Sequence, residues 1–128
     1  STLHTTNAAD TVERMLDAFP ASQQRQMRIQ LSMVLQATVS QQLVPTIAGG
    51  AIPIFEVMVV NTAIRNLIRE EKAYQIDSVI AAGSKDGMQT MDQGLFNATK
   101  QGIIAKDVAL QYANHQEALQ RRFAAEGM

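Results

Sequence analysis

The sequence predicts a mainly α fold with one short β-hairpin, an α+β arrangement for the isolated chain. Three observations support this. Apolar residues recur at helical spacing near the start and again through the second half. Between those stretches, two β-like runs flank Gly49-Gly50, a pair that supplies positive φ without a Cβ clash. Finally, 128 residues, 46% hydrophobic and 18% charged, suffice for one packed core and do not resemble a disordered chain.

The first helix starts after Asn7, a good cap with Asp10 three residues on. Ala8, Val12, Met15, Leu16 and Phe19 form its apolar stripe, and Pro20 ends it. A longer helix is expected from Ser22 to Ser40. Met27, Leu31, Val34 and Leu35 make its stripe, and Ile29 and Met33 widen it, implying contact on more than one side. The β-like runs are Gln42 to Ile47 and Ile52 to Val60. The second is apolar on both faces, Ile52, Ile54, Met58 and Val60 on one and Phe55, Val57 and Val59 on the other, so both should be covered. Pro53 cannot donate to a ladder and marks an edge or an irregular end. Glu56, alone in this run, is expected to pair with an arginine if buried; the sequence leaves open which one.

Helical spacing returns over residues 62–71, with Ile64, Leu67 and Ile68 on one face, and over Lys72 to Ala82. Gly83 to Gly87 reads as a loop. Thr90 with Gln93 is a capping box opening the next helix, which Gly102 should end. A helix near 106–113 follows, and Asn114 with Glu117 suggests the cap of a last helix carrying Leu119 and Phe123. Met27, Met33, Met58, Met88 and Met91 fall on apolar faces and read as core.

Composition excludes several functions. Eleven basic and twelve acidic residues leave a net charge of −1 with no basic block, which argues against a nucleic-acid partner. There is no cysteine, hence no disulfide and no thiolate metal site. No apolar run approaches the roughly 20 residues of a membrane span, and no signal-peptide pattern opens the chain. The opening Ser1-Thr2-Leu3-His4-Thr5-Thr6 is what a cut piece of a longer chain would show. Only two histidines occur, His4 and His115, and no Gly-Lys pair exists from which to build a phosphate loop. The chain therefore offers no complete catalytic constellation, and no metal site is expected.

Two groups of residues remain. His4 stands among Thr2, Thr5 and Thr6 just before a helix start, where hydroxyls, an imidazole and free helix amides could meet an anion; from the residues alone, an ordinary polar residue at a chain terminus is the reading to prefer. Arg65 and Arg69 are four residues apart and share one helix face opposite Ile64 and Leu67, with Glu70 and Glu71 close by. That face is either solvated or a docking surface for acidic groups or a neighbouring domain. His115 reads as a surface residue.

The string Ala63-Ile64-Arg65-Asn66-Leu67-Ile68-Arg69-Glu70 resembles the signature of the type IV pilus retraction ATPases, the twitching-motility family of the secretion ATPase superfamily. Thr2-Leu3-His4-Thr5-Thr6-Asn7-Ala8-Ala9 resembles that family's histidine box. Asp17-Ala18-Phe19-Pro20, Gln41-Gln42-Leu43 and Gly87-Met88-Gln89-Thr90-Met91-Asp92-Gln93 resemble later segments in the same order. The resemblance implies the C-terminal portion of a RecA-like P-loop ATPase domain plus its C-terminal helices. Residues 1–60 would hold the histidine box and hairpin of the ATPase core, and 61–128 the helical region with the retraction motif.

By the same resemblance the full-length protein would be a cytoplasmic homo-hexamer at the inner-membrane pilus base. It would use ATP and Mg to drive pilus retraction. His4, with Thr5 and Thr6 beside it, would lie near the nucleotide phosphates, and residues 63–70 would serve retraction. The family's phosphate loop and acidic motifs precede the histidine box, so the chain alone should be inactive and bind no cofactor. One departure is Ala105, where the family often has a capping Ser or Thr; a lost cap costs about 1 kcal/mol. Two alternatives stand beside this reading. One is a pilus-extension or type II secretion ATPase, which typically carries a four-cysteine insertion absent here. The other is a non-enzymatic helical interaction module.

Overall fold

The computed structural model describes residues 2–128. Among these, the order is α1 (Ala8–Asp17), α2 (Ala21–Val34), β1 (Ala37–Pro45), β2 (Ala51–Val59), α3 (Thr62–Arg69), α4 (Ile76–Ala82), α5 (Met91–Lys100), α6 (Lys106–Tyr112) and α7 (Gln116–Ala125). The fold is mainly α with one antiparallel hairpin, as the periodicities require.

Local signals set most helix ends. The Asn7 side chain accepts the Asp10 amide at 2.8 Å. Thr90 and Gln93 form the reciprocal capping box that opens α5. Ala105 precedes α6 with no side-chain cap. The hairpin pairs Ala37 with Val59 through Pro45 with Ala51. Its turn closes by Thr46 N–H to Gly50 C=O at 3.1 Å, with Gly49 and Gly50 at φ 98° and 78°. Only glycine adopts that pair of angles without strain.

Several expectations need correction. Met33, expected in the core, stands 60% exposed, because α2 packs chiefly against α1 and α3 and not on every side. The second helix stops at Val34, and residues 37–40 belong to β1. The strand turns Thr38, Ser40 and Val44 inward while Val39 and Leu43 stand 65% and 61% exposed. Hydroxyls inside and aliphatics outside is the reverse of the usual alternation, so the stretch looks like the polar end of a helix. Its pairing partner lies across the hairpin and is invisible locally. Lys72 to Ala82 is also not one helix: a 3-10 turn at Ala73–Gln75 precedes α4. Nor does Asn114 cap α7. His115 occupies the cap position without a side-chain bond, and the Asp92 carboxylate of α5 accepts the Asn114 and His115 amides, each at 2.8 Å.

Two apolar clusters share the interior. The first joins Ala8, Val12 and Leu16 of α1 to Met58 of β2, Ile64 and Ile68 of α3, and Ile76 and Ile80 of α4. The second joins Val44 and Ile54 of the hairpin to Met91, Leu95 and Phe96 of α5, and to Leu119 and Phe123 of α7. Phe96 and Phe123 stack with centroids 5.3 Å apart. The hairpin runs from one cluster to the other along β2. Its outer face is not covered on both sides: Phe55 and Val59 remain more than a third exposed.

Candidate functional site

Residues 2–5 run without regular structure into α1. They form one wall of a cleft of about 740 Å³ whose other wall is β1 from Ala37 to Gln41. His4 and Thr6 are exposed and Thr5 is half-buried. The Thr5 hydroxyl shares a 2.5 Å hydrogen bond with that of Thr11, which donates to the Asn7 carbonyl at 2.8 Å. Thr38 lines the cleft, and its buried hydroxyl has no partner among the described residues. Among the described residues no carboxylate lines this space. Its hydroxyls and one imidazole, set among Leu3, Met15 and Val39, offer hydrogen-bonding groups to an anion such as a phosphate.

Two of the helix amides expected to be free for that anion are taken. The Asn7 side chain accepts from Asp10, and Glu56 Oε2 accepts from Ala8 at 2.6 Å. Glu56 has no arginine partner. Its Oε1 accepts instead from Met91 at 2.8 Å, so one carboxylate takes the first amide of both α1 and α5. These ends carry orphan N–H groups and partial positive charge, which lets a carboxylate sit buried without a cation. Burial pushes the Glu56 pKa up and the two amides hold it down, while Asp77 and Asp92 add to the rise. Asp77 is likewise raised, by burial first; His115, 3.4 Å away, lowers it and Asp92 raises it.

The predicted arginine face divides. Ile64 and Ile68 are fully buried, but Leu67 is only half-buried. Arg69 is exposed and donates to Asn66 one turn back. Arg65 is half-buried, and its buried Nε lacks a hydrogen-bond partner among the described residues. Among the described residues Glu70 forms no ion pair and Glu71 pairs with neither arginine. Glu71, in the left-handed region at φ 63°, points its carboxylate toward Arg28 at 3.8 Å.

Arg28 is the buried charge that sequence reasoning missed. It lies in α2, donates to both oxygens of Glu13 in α1 at 3.0 and 3.4 Å, and stands 3.5 Å from the Ile68 carbonyl of α3. It thereby ties α1, α2 and α3 together. The available signal was weak: an arginine on the edge of the α2 stripe, beside Met27 and Leu31. Among the described residues no cluster of three His, Asp or Glu side chains converges on a metal position, and no helix is long and apolar enough to cross a membrane.

This architecture has known relatives. The chain is 46% identical over 119 residues to a twitching motility protein of Neisseria gonorrhoeae, and 43% identical over 116 residues to the type IV pilus retraction ATPase PilT of Pseudomonas aeruginosa. A crystal structure of the pilus retraction motor PilT with bound ADP matches 94% of the chain with a TM-score of 0.81 at 44% identity. The chain is homologous to the C-terminal part of the PilT-type motors. It spans about a third of those relatives, 32% and 34% of the two sequences and 33% of the PilT crystal chain. No family model matches it. The ATPase DotB of Legionella pneumophila shares the fold at 24% identity and a TM-score of 0.67. Helix α1, which follows the His4 segment, and helix α3 contribute to one apolar cluster.

Proposed function

We propose that this chain is the C-terminal portion of a hexameric motor ATPase that powers type IV pilus retraction and twitching motility. The observation that carries the proposal is the likeness to PilT, at 44% identity and a TM-score of 0.81 over 94% of the chain. ATP with Mg would be held mainly by residues preceding this segment in the longer relatives, since this sequence contains no phosphate loop.

His4 and Thr6 contribute N–H and O–H donors toward the phosphates from the cleft beside β1, and Thr5, whose hydroxyl proton goes to Thr11, lines that cleft beside them. Residues 63–70, in and just after helix α3, carry the retraction surface, with Arg69 exposed. In this reading residues 1–60 complete the ATPase core and 61–128 form the output region. The assembly works in the cytoplasm against the inner-membrane pilus base. Absence of cysteine favours this reading over the extension and type II secretion motors with their cysteine-bound zinc.

The test is His4→Ala in the complete motor. ATP turnover should fall by about 10- to 1,000-fold, the range for losing one positioned donor, while folding and assembly persist, because His4 is exposed and outside both apolar clusters. Unchanged turnover would remove His4 from the nucleotide site.

A further inference from the structure

We infer that Glu56 is a positioning residue that couples the histidine-bearing segment before α1 to the α5–α7 helices. The inference rests on the nucleotide-proximal reading of that segment and deepens it.

Three observations carry it. On one face of β2, Met58 belongs to the first apolar cluster and Ile54 to the second, and Glu56 stands between them at 2% exposure. Its two oxygens accept one amide from each side, Ala8 of α1 at 2.6 Å and Met91 of α5 at 2.8 Å. Both helices already have local side-chain caps, Asn7 for α1 and Thr90 for α5. Those caps accept the third amides, Asp10 and Gln93, and leave the first amides of both helices to Glu56. What it adds is a link between the two helix starts.

The geometry gives that link a direction. His4 precedes Ala8 by four residues, a stretch of chain no longer than about 14 Å. A displacement of the His4 segment on nucleotide binding moves the Ala8 amide. The carboxylate is rigid and planar, so following Ala8 draws it off Met91 unless α5 moves as well. Glu56 touches neither substrate nor reacting atoms; it acts through Ala8 and Met91.

Amide hydrogen exchange on the complete motor, with and without ADP, tests the link. In the native protein, ADP should slow exchange in the first turns of both α1 and α5. Glu56→Gln keeps the shape but only one acceptor oxygen, so it can hold one amide and not both. The α1 response should persist while the α5 response is lost, by roughly 10- to 100-fold in protection, the range for a hydrogen bond to a charged acceptor. Glu56→Asp retains the charge but is too short to reach both amides; it should give the same split if the Gln variant folds poorly. An α5 response as large in both variants as in the native protein overturns the inference. If ADP alters neither helix in the native protein, the nucleotide-proximal reading fails and the coupling with it. The His4→Ala turnover assay checks the nucleotide-proximal reading independently of Glu56, so a failure of the coupling alone is told apart from a failure of that reading.

Discussion

Removing the Glu13 carboxylate should destabilise the fold far more than its surface position suggests. Glu13 is 45% exposed, but its partner Arg28 is only 8% exposed and meets it at 3.0 Å. In Glu13→Ala the guanidinium keeps only the Ile68 carbonyl at 3.5 Å and Glu71 at 3.8 Å. Stripping the partner from a wholly buried charge costs about 3–5 kcal/mol. Water reaches the Glu13 side of this pair, so the expected cost is roughly 2–3 kcal/mol. Glu71→Ala should cost less than about 0.5 kcal/mol, because Glu71 is 71% exposed and its contact is long. Glu71→Gly should even stabilise, by about 0.5–1 kcal/mol, since glycine relieves the left-handed backbone at φ 63°. Urea denaturation followed by far-UV circular dichroism measures all three. The reasoning is refuted if Glu13→Ala and Glu71→Ala cost the same, or if Glu13→Ala costs less than about 0.5 kcal/mol.

Three further outcomes are expected. Ile68→Ala, at a fully buried position, should cost about 2–5 kcal/mol, and half-buried Leu67→Ala roughly half of that; equal losses in chemical denaturation would contradict the observed orientation of α3. Replacing Arg65 and Arg69 together with Gln should leave ATP turnover of the complete motor near native and impair twitching; normal twitching would make this face merely solvated. Asp77 has a raised folded-state pKa, so it binds protons more tightly folded than unfolded. Its contribution to stability is present below the ordinary Asp range and is lost as pH rises through the raised value. Asp77→Asn should flatten that decline in denaturation series at stepped pH, and an unchanged slope would rule Asp77 out as its source.

Much of the fold was legible because its signals are short-range. Asn7, Pro20, the Gly49-Gly50 turn and the Thr90–Gln93 box act within four residues, and each marks an observed boundary. The motif at residues 63–70 pointed to the family without any coordinates, because an ordered string of eight residues is specific in itself. Where the sequence misled, the deciding partner was distant. Residues 37–40 became strand because residues 56–59 pair with them. The last helix starts where Asp92, more than twenty residues earlier, receives its leading amides.

The sequence by itself determined the helical periods, the turn, the absence of a phosphate loop and the kinship with retraction motors. Only the tertiary structure decided what the buried charges do. Sequence reasoning expected an arginine beside Glu56, since a lone buried carboxylate needs compensation. The fold supplies that compensation with two helix N-termini, whose amides come from residues 48 and 35 positions away. Arg28 looked like one more charge on a helix surface until α1 and α3 closed over it. Backbone amides carry no side-chain signature, and burial is a property of the assembled helices. Neither can be read from the order of residues, because both exist only once distant parts of the chain have met.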